Sequence, residues 1–208
     1  MISLSHTRLD IAYAVSVVSQ FMHDPKERHL QAVERILQYL KASLGKGLLF
    51  KKEGTLSMEI YTDADYAGSV VDRRSTSRYC MFLGGNLVTW RSKKQNVGIC
   101  EGLWTKIILD DLKVKYEGLI KLFCNNNSVM SISHNPVQHD RTKHIEINIY
   151  FIKEKLDSGL IVTTHVPTRL QVTNIFTKGL FTTRFQELNG KLGMIDIHLP
   201  TRGRVLEI

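Results

Sequence analysis

Residues 121 to 132 read K-L-F-C-N-N-N-S-V-M-S-I, a short apolar run that ends in three asparagines. In α/β proteins the end of a strand is where side chains converge on a ligand or a metal. A catalytic divalent cation calls for a charged oxygen at such a place, so at Asn125 position and residue type disagree. His134, His139 and His144 are of metal-ligating type, but a spacing of five does not stack them on one helix face. They read as loop residues. The basic run Arg91-Ser92-Lys93-Lys94-Gln95 is of the kind that contacts phosphates, and Arg73, Arg74 and Lys143 are the next candidates. Cys80, Cys100 and Cys124 show no C-x-x-C spacing, which argues against a zinc site or a disulfide framework and fits a reducing compartment.

The elements that must position these residues follow from periodicity. Ile11, Val15, Val18 and Met22 fall at helical spacing. Asp24-Pro25-Lys26-Glu27 reads as the start of a second helix, with Asp24 as N-cap and Pro25 in the first turn. Leu30, Val33, Ile36, Leu37 and Leu40 continue it until Gly45 and Gly47. Strands are predicted over Met58–Thr62, Arg78–Leu83 and Leu87–Trp90, the last two joined by a Gly84-Gly85-Asn86 turn. A helix follows over Ile99–Leu112, with Leu103, Ile107 and Leu112 as its apolar stripe; Trp90 and Trp104 are expected in the core. Then come a strand at Leu119–Cys124, a short helix near Ser128–Ser133, a long helix over Thr142–Ser158, a strand at Leu160–Val166 and a helix through Thr168–Lys178. The fold class is α/β, a mixed five-stranded sheet flanked by helices and preceded by a helical pair. The expected divisions are 1–54, 55–182, and a C-terminal helix and tail over 183–208.

Of 208 residues, 43% are hydrophobic and 23% charged, which is globular rather than disordered composition. Lysine and arginine exceed the acids by 28 − 20 = 8, a surplus that leans towards an acidic partner such as nucleic acid. The longest apolar stretch, Ile11–Met22, is too short to span a bilayer and is interrupted by Ser16, Ser19 and Gln20. With no signal peptide, the expectation is an intracellular protein, cytoplasmic or nuclear, that does not enter a membrane.

Five blocks occur in a fixed order: Y-T-D-A-D-Y-A-G (61–68), D-R-R-S-T-S (72–77), F-L-G-G-N-L-V-T-W-R-S-K-K-Q (82–95), H-N-P-V-Q-H-D-R-T-K-H-I (134–145) and N-I-F-T-K-G-L (174–180). Together they resemble the ribonuclease H domain of Copia-type retrotransposon Pol polyproteins. H-T-R-L-D-I-A-Y-A-V-S-V-V-S-Q-F-M-H-D-P (6–25) is similar to the end of the reverse transcriptase that precedes it. The resemblance implies a ribonuclease H-like sheet that hydrolyses the RNA strand of an RNA–DNA hybrid with Mg²⁺. In that family four acidic residues hold two Mg²⁺ ions about 4 Å apart, because hard cations so close together need several carboxylates around them.

Matched position by position, the first family acid falls on Asp63. The second, a glutamate in an S-S-x-E-A-E-Y context after S-K-K-Q, belongs to a segment missing between Gln95 and Glu101. The third, in a C-D-N context, falls on Asn125, and the fourth, in an A-D-I-x-T-K context, on Asn174. Asp65 reads as a structural or surface residue, and Glu101 as a poor substitute for the lost glutamate. Two more departures stand out: Arg78 where the family has a glycine after S-T-S, and Leu9 where it has a proline after H-T-R. The resemblance therefore implies a Pol fragment with a degenerate active site, in which Asp63 alone is retained and Mg²⁺ is not productively bound. The alternative is a non-catalytic basic module that binds nucleic acid through Arg73, Arg74, Arg91, Lys93, Lys94 and Lys143. Loss of the glutamate segment is also expected to leave apolar sheet surface uncovered.

Overall fold

The computed structural model describes residues 7–52, 55–65, 76–93, 97–125, 153–176 and 178–197, without the side chains of residues 64, 65, 76, 77, 92, 93, 97, 98 and 100. It divides into two compact units, residues 51–174 and residues 1–50 with 175–208.

In the larger unit, alternating apolar residues build a mixed sheet. Label its strands β2 (Met58–Asp65), β3 (Thr76–Leu83), β4 (Asn86–Lys93), β5 (Ile120–Cys124) and β6 (Ile161–His165). Their spatial order is β4-β3-β2-β5-β6, with β3 antiparallel to β2 and β4, and β5 parallel to β2 and β6. The β3–β4 hairpin turns on Gly84 and Gly85, both at positive φ (56° and 75°), which a two-residue turn of this twist requires. The strands run further than periodicity predicts, since ladder pairing continues to Asp65↔Thr76 and Ser77↔Lys93.

One face of the sheet is covered by helix α3 (Val97–Asp111). Met58, Ile60, Tyr79, Met81, Ile120, Leu122 and Ile161 from the sheet pack with Ile99 and Leu109 from the helix. Here two expectations are corrected. The segment lost before Glu101 does not leave this face bare, because the shortened helix lies close: a Cβ on Gly102 would come within 2.6 Å of Ile60 Cδ1. Of the anticipated stripe on α3, Leu103 packs against this core, but Ile107 and Leu112 are 50% and 67% exposed, and Trp104, expected in the core, is 61% exposed. Apolar residues are spread round this helix among Glu101, Thr105, Lys106, Asp110 and Asp111, so its sequence carries no unique inward face. The absence of a side chain at Gly102 selects the contact.

Tyr116 ties the core to the edge of β2. Its hydroxyl accepts the Met58 N–H at 3.0 Å and donates to the Leu119 carbonyl at 2.8 Å. Tyr116→Phe leaves that buried N–H unpaired, and urea unfolding is expected to show a loss of about 1–3 kcal/mol. A variant as stable as the parent would show that water replaces the hydroxyl.

Beyond β6 the chain forms 3-10 turns at Thr168–Leu170 and Val172–Phe176, not the α-helix predicted through Lys178. Local side-chain bonds, described below, close these turns. Residues 153–157 are helical, and the rest of the predicted 142–158 helix, the short helix near 128–133 and the three histidines lie outside the described residues.

The smaller unit holds α1 (Ala12–Ser19), α2 (Glu27–Ala42) and α4 (Thr182–Lys191). Helix α2 starts after Lys26, not Asp24; the Lys26 N–H donates to His29 Nδ1 at 3.1 Å, and His29 stacks on Phe21 at 4.2 Å. Ile11, Val15 and Ile36 form its core beside a buried polar knot. Asp10 accepts bonds from Arg8 Nε (3.0 Å), Arg8 Nη2 (2.8 Å) and the Tyr39 hydroxyl (2.8 Å). Asp10 raises the Arg8 pKa further above its ordinary value, chiefly through that hydrogen bonding. A two-stranded ribbon, β1 (Lys46–Leu48) with β7 (Met194–Asp196), pairs antiparallel and joins the two ends of the chain.

Candidate active site

The site builds on the sheet face that α3 does not cover. Register places successive rows of side chains across β3, β2 and β5, and alternation puts Glu59, Tyr61 and Asp63 on one face. Two rows are verified by contact. Lys121 Nζ approaches Glu59 Oε1 at 3.8 Å, and Tyr61 stacks on Phe123 at 4.6 Å with Phe82 edge-on at 5.6 Å. The Tyr61 hydroxyl is pushed up to about 12, first by burial and then by the Glu59 carboxylate, so the face is partly dry.

The next row carries the matched positions. Asp63 pairs with Arg78 on β3, and on β5 the position beside it, one past the Thr62↔Cys124 pair, is Asn125. Asp63 is 3% exposed, and its Oδ2 is buried without a hydrogen-bond partner among the described residues. A buried carboxylate in this state needs a nearby positive charge.

Asn174 reaches the same end of the sheet through Gln171, a residue not singled out in the sequence. The Gln171 side-chain amide donates to the Thr62 carbonyl at 3.0 Å, which pins the 3-10 segment beside the residue preceding Asp63. Three residues further on, Asn174 is buried and its Nδ2 donates to the Thr168 carbonyl at 2.6 Å. Asn174 therefore closes its own turn. A carboxylate could not donate that bond.

Glu101 is engaged elsewhere. Its Oε1 lies 3.6 Å from Arg91 Nη1, and its carboxylate, after burial, helps push the Tyr79 hydroxyl up to about 12. Tyr79 pairs with Thr62 and Arg91, one residue out of phase with Asp63, so Glu101 belongs to the helix-covered face.

Of the predicted phosphate-contacting residues, Arg91 is described and its side chain is 44% exposed. Lys93 ends β4, with its side chain outside the described part; Arg73, Arg74, Lys94 and Lys143 lie outside the described residues altogether. In the sequence Arg78 stands out only as a departure from a family glycine, and its place opposite Asp63 requires the strand register.

Among the described residues, those at the matched positions do not fit two divalent cations. One charged donor, Asp63, stands with two neutral amides, and the nitrogen of one amide is committed to a backbone carbonyl. Among the described residues no group of three His, Cys, Asp or Glu side chains could hold a metal ion. No helix among them is long and apolar enough to cross a membrane.

Comparison with known proteins adds the following. No protein-family model matches the chain. It is 38% identical to the retrovirus-related Pol polyprotein from transposon RE1 of Arabidopsis thaliana, over 92% of this chain and 14% of that protein. It is 34% identical to the corresponding polyprotein from transposon RE2 of the same plant, over 99% of this chain and 15% of that one. The chain thus spans about a seventh of the length of these relatives. A solved LC11-RNase H1 in complex with an RNA/DNA hybrid covers 55% of this chain and 88% of its own at 16% identity, with a TM-score of 0.34. At so low a score, the fold rests on the observed strand order and not on that likeness.

Proposed function

Since the chain belongs to the Copia-type retrotransposon Pol family, we propose that it is a segment of such a polyprotein whose ribonuclease H-like domain no longer cleaves RNA–DNA hybrids. One observation carries this reading: among the described residues, the row at the end of β2 and β5 holds a single carboxylate, Asp63, between the positions of Arg78 and Asn125. Two-metal hydrolysis needs several carboxylates to gather the cations, one of which activates water while both clamp the scissile phosphate. Neutral amide oxygens do not supply that charge. The divisions read from sequence, 1–54 as a reverse transcriptase end and 55–182 as the ribonuclease H-like domain, belong to the same proposal. An intracellular setting accords with the buried thiols Cys80 and Cys124.

The deciding assay is Mg²⁺-dependent cleavage of an RNA–DNA hybrid by the chain, beside an Asp63→Ala control. No cleavage above the control supports the reading. Robust cleavage abolished in the control overturns it.

The surplus of eight positive charges favours a second, compatible reading, retention of nucleic-acid binding without catalysis. Phosphate neutralisation by Arg91, Lys93, Lys94 and their neighbours would release counterions, so affinity should fall steeply with salt. Hybrid binding is expected with a Kd on the order of 10⁻⁴ to 10⁻⁶ M at physiological salt and no sequence preference. Lys93→Ala/Lys94→Ala should weaken it and flatten the salt dependence. Binding indifferent to salt, or unchanged in the double variant, would leave an inert remnant.

A further inference from the structure

We propose that helix α2 (Glu27–Ala42) carries a dimerisation seam, and that its partner is a second copy of this chain packed antiparallel about a two-fold axis. The helix is more apolar than its own core requires. Ile36 joins Ile11 and Val15 in that core. Leu30 and Leu37, one heptad apart, are left 52% and 53% exposed. Val33 and Leu40 are half-buried and fall between and after them at spacings of three and four. Leu44, a further heptad on and exposed, follows just past the helix end. Leu30, Val33, Leu37 and Leu40 thus form the alternating three-and-four repeat by which helices pair.

The charges beside the seam decide which partner fits. Glu34 and Lys41 occupy equivalent places in successive heptads, next to Val33 and Leu40, and both are exposed. Neither side chain is hydrogen-bonded or ion-paired among the described residues. In an antiparallel pair the same flank of both helices meets. With Leu37 packed on Leu40 of the partner subunit, Glu34 lies beside the partner subunit's Lys41, and the two-fold axis makes that contact twice. Shifted by a heptad either way, Glu34 meets its own copy or Lys41 meets its own. A parallel pair sets Glu34 beside His29 and Lys41 beside Ile36. Charge is answered by charge only in the first arrangement.

The remaining charges of α2, Glu27, Arg28 and Arg35, are of mixed sign, which suits no polyanion. The exposed apolar row amounts to about 300–400 Å² per chain, and with its polar flanks a pair would bury about 1,200 Å² in all, the lower end for a specific interface.

The experiment is sedimentation equilibrium of the whole chain at several concentrations. The parent is expected to dimerise with a Kd on the order of 10⁻⁶ to 10⁻⁵ M, the weak end for so small an interface. Leu30→Glu/Leu37→Glu should be monomeric, with unchanged helix content by circular dichroism because both side chains stand at the surface. Glu34→Lys and Lys41→Glu each turn two attractive contacts repulsive and should raise the Kd about tenfold. Glu34→Lys/Lys41→Glu exchanges the partners and should return the Kd to within about threefold of the parent. That recovery is the deciding sign, since a misfolded variant would not give it. A parent that is monomeric well above the expected Kd overturns the proposal. So does a dimer indifferent to the leucine or single charge changes, or a double exchange no better than the single ones. None of these outcomes bears on the loss of cleavage proposed above.

Discussion

An RNA–DNA hybrid incubated with Mg²⁺ and the Asn125→Asp/Asn174→Asp variant is expected to stay intact, even though the variant regains two of the acid types the family uses. At an effective dielectric near 20, a unit charge about 4 Å from a cation is worth on the order of 4 kcal/mol per unit of cation charge. Even half of that for the carboxylate still absent leaves more than a tenfold deficit in rate. Glu101 does not fill the gap, since it lies with Arg91 and Tyr79 on the other face of the sheet.

The substitution at 174 also works against itself. The Nδ2 of Asn174 donates to the Thr168 carbonyl at 2.6 Å, and an ionised aspartate would set oxygen against oxygen there. Losing this bond and crowding two acceptors should cost about 1–3 kcal/mol. The double variant is thus expected to be less stable as well as inactive. A gel-based cleavage assay and a urea melt check both parts, and strong Mg²⁺-dependent cleavage would refute the first.

The second large effect lies in the core. Ile60→Ala is expected to destabilise the larger unit by about 2–5 kcal/mol, the range for truncating a buried isoleucine when its surroundings relax only partly. Ile60 is 0% exposed, and its Cδ1 occupies the space that Gly102 leaves open in α3. The truncation opens a void between helix and sheet at the contact that keeps the shortened helix in place. Denaturant unfolding measures the loss. A cost under about 1 kcal/mol would mean that α3 settles into the gap or was never closely held.

Much of the larger unit was legible in advance because its signals are local. Met58–Thr62 and Leu119–Cys124 alternate or run apolar between turn residues, and the glycine pair before Asn86 announces a hairpin whose positive φ angles are then found. Helix α3 was placed almost to the residue, yet its orientation was not. Trp104, Ile107 and Leu112 look inward-facing on a helix whose apolar residues are spread round its circumference, and only the close approach of Gly102 to Ile60 settles which face is covered.

Other features were beyond local reading. The β1–β7 ribbon unites three-residue strands from opposite ends of the chain, too short to show any period. The 3-10 turns around Asn174 arise where Asn174 and Gln171 spend their side chains on backbone carbonyls, one within the turn and one on β2. Those bonds compete with the regular helix expected through Thr168–Lys178.

At the candidate site the division is sharp. By itself, the sequence determined which residue types stand at the matched positions: Asp63, Asn125 and Asn174, with a segment missing ahead of Glu101. Side-chain chemistry does not depend on folding, so the deficit of charge was readable at once. Tertiary structure alone decided what surrounds the surviving carboxylate, because neighbours across a sheet are set by strand register, which is a long-range property. Register puts Arg78 opposite Asp63 and Asn125 beside it, and alternation carries Glu101's partners to the other face.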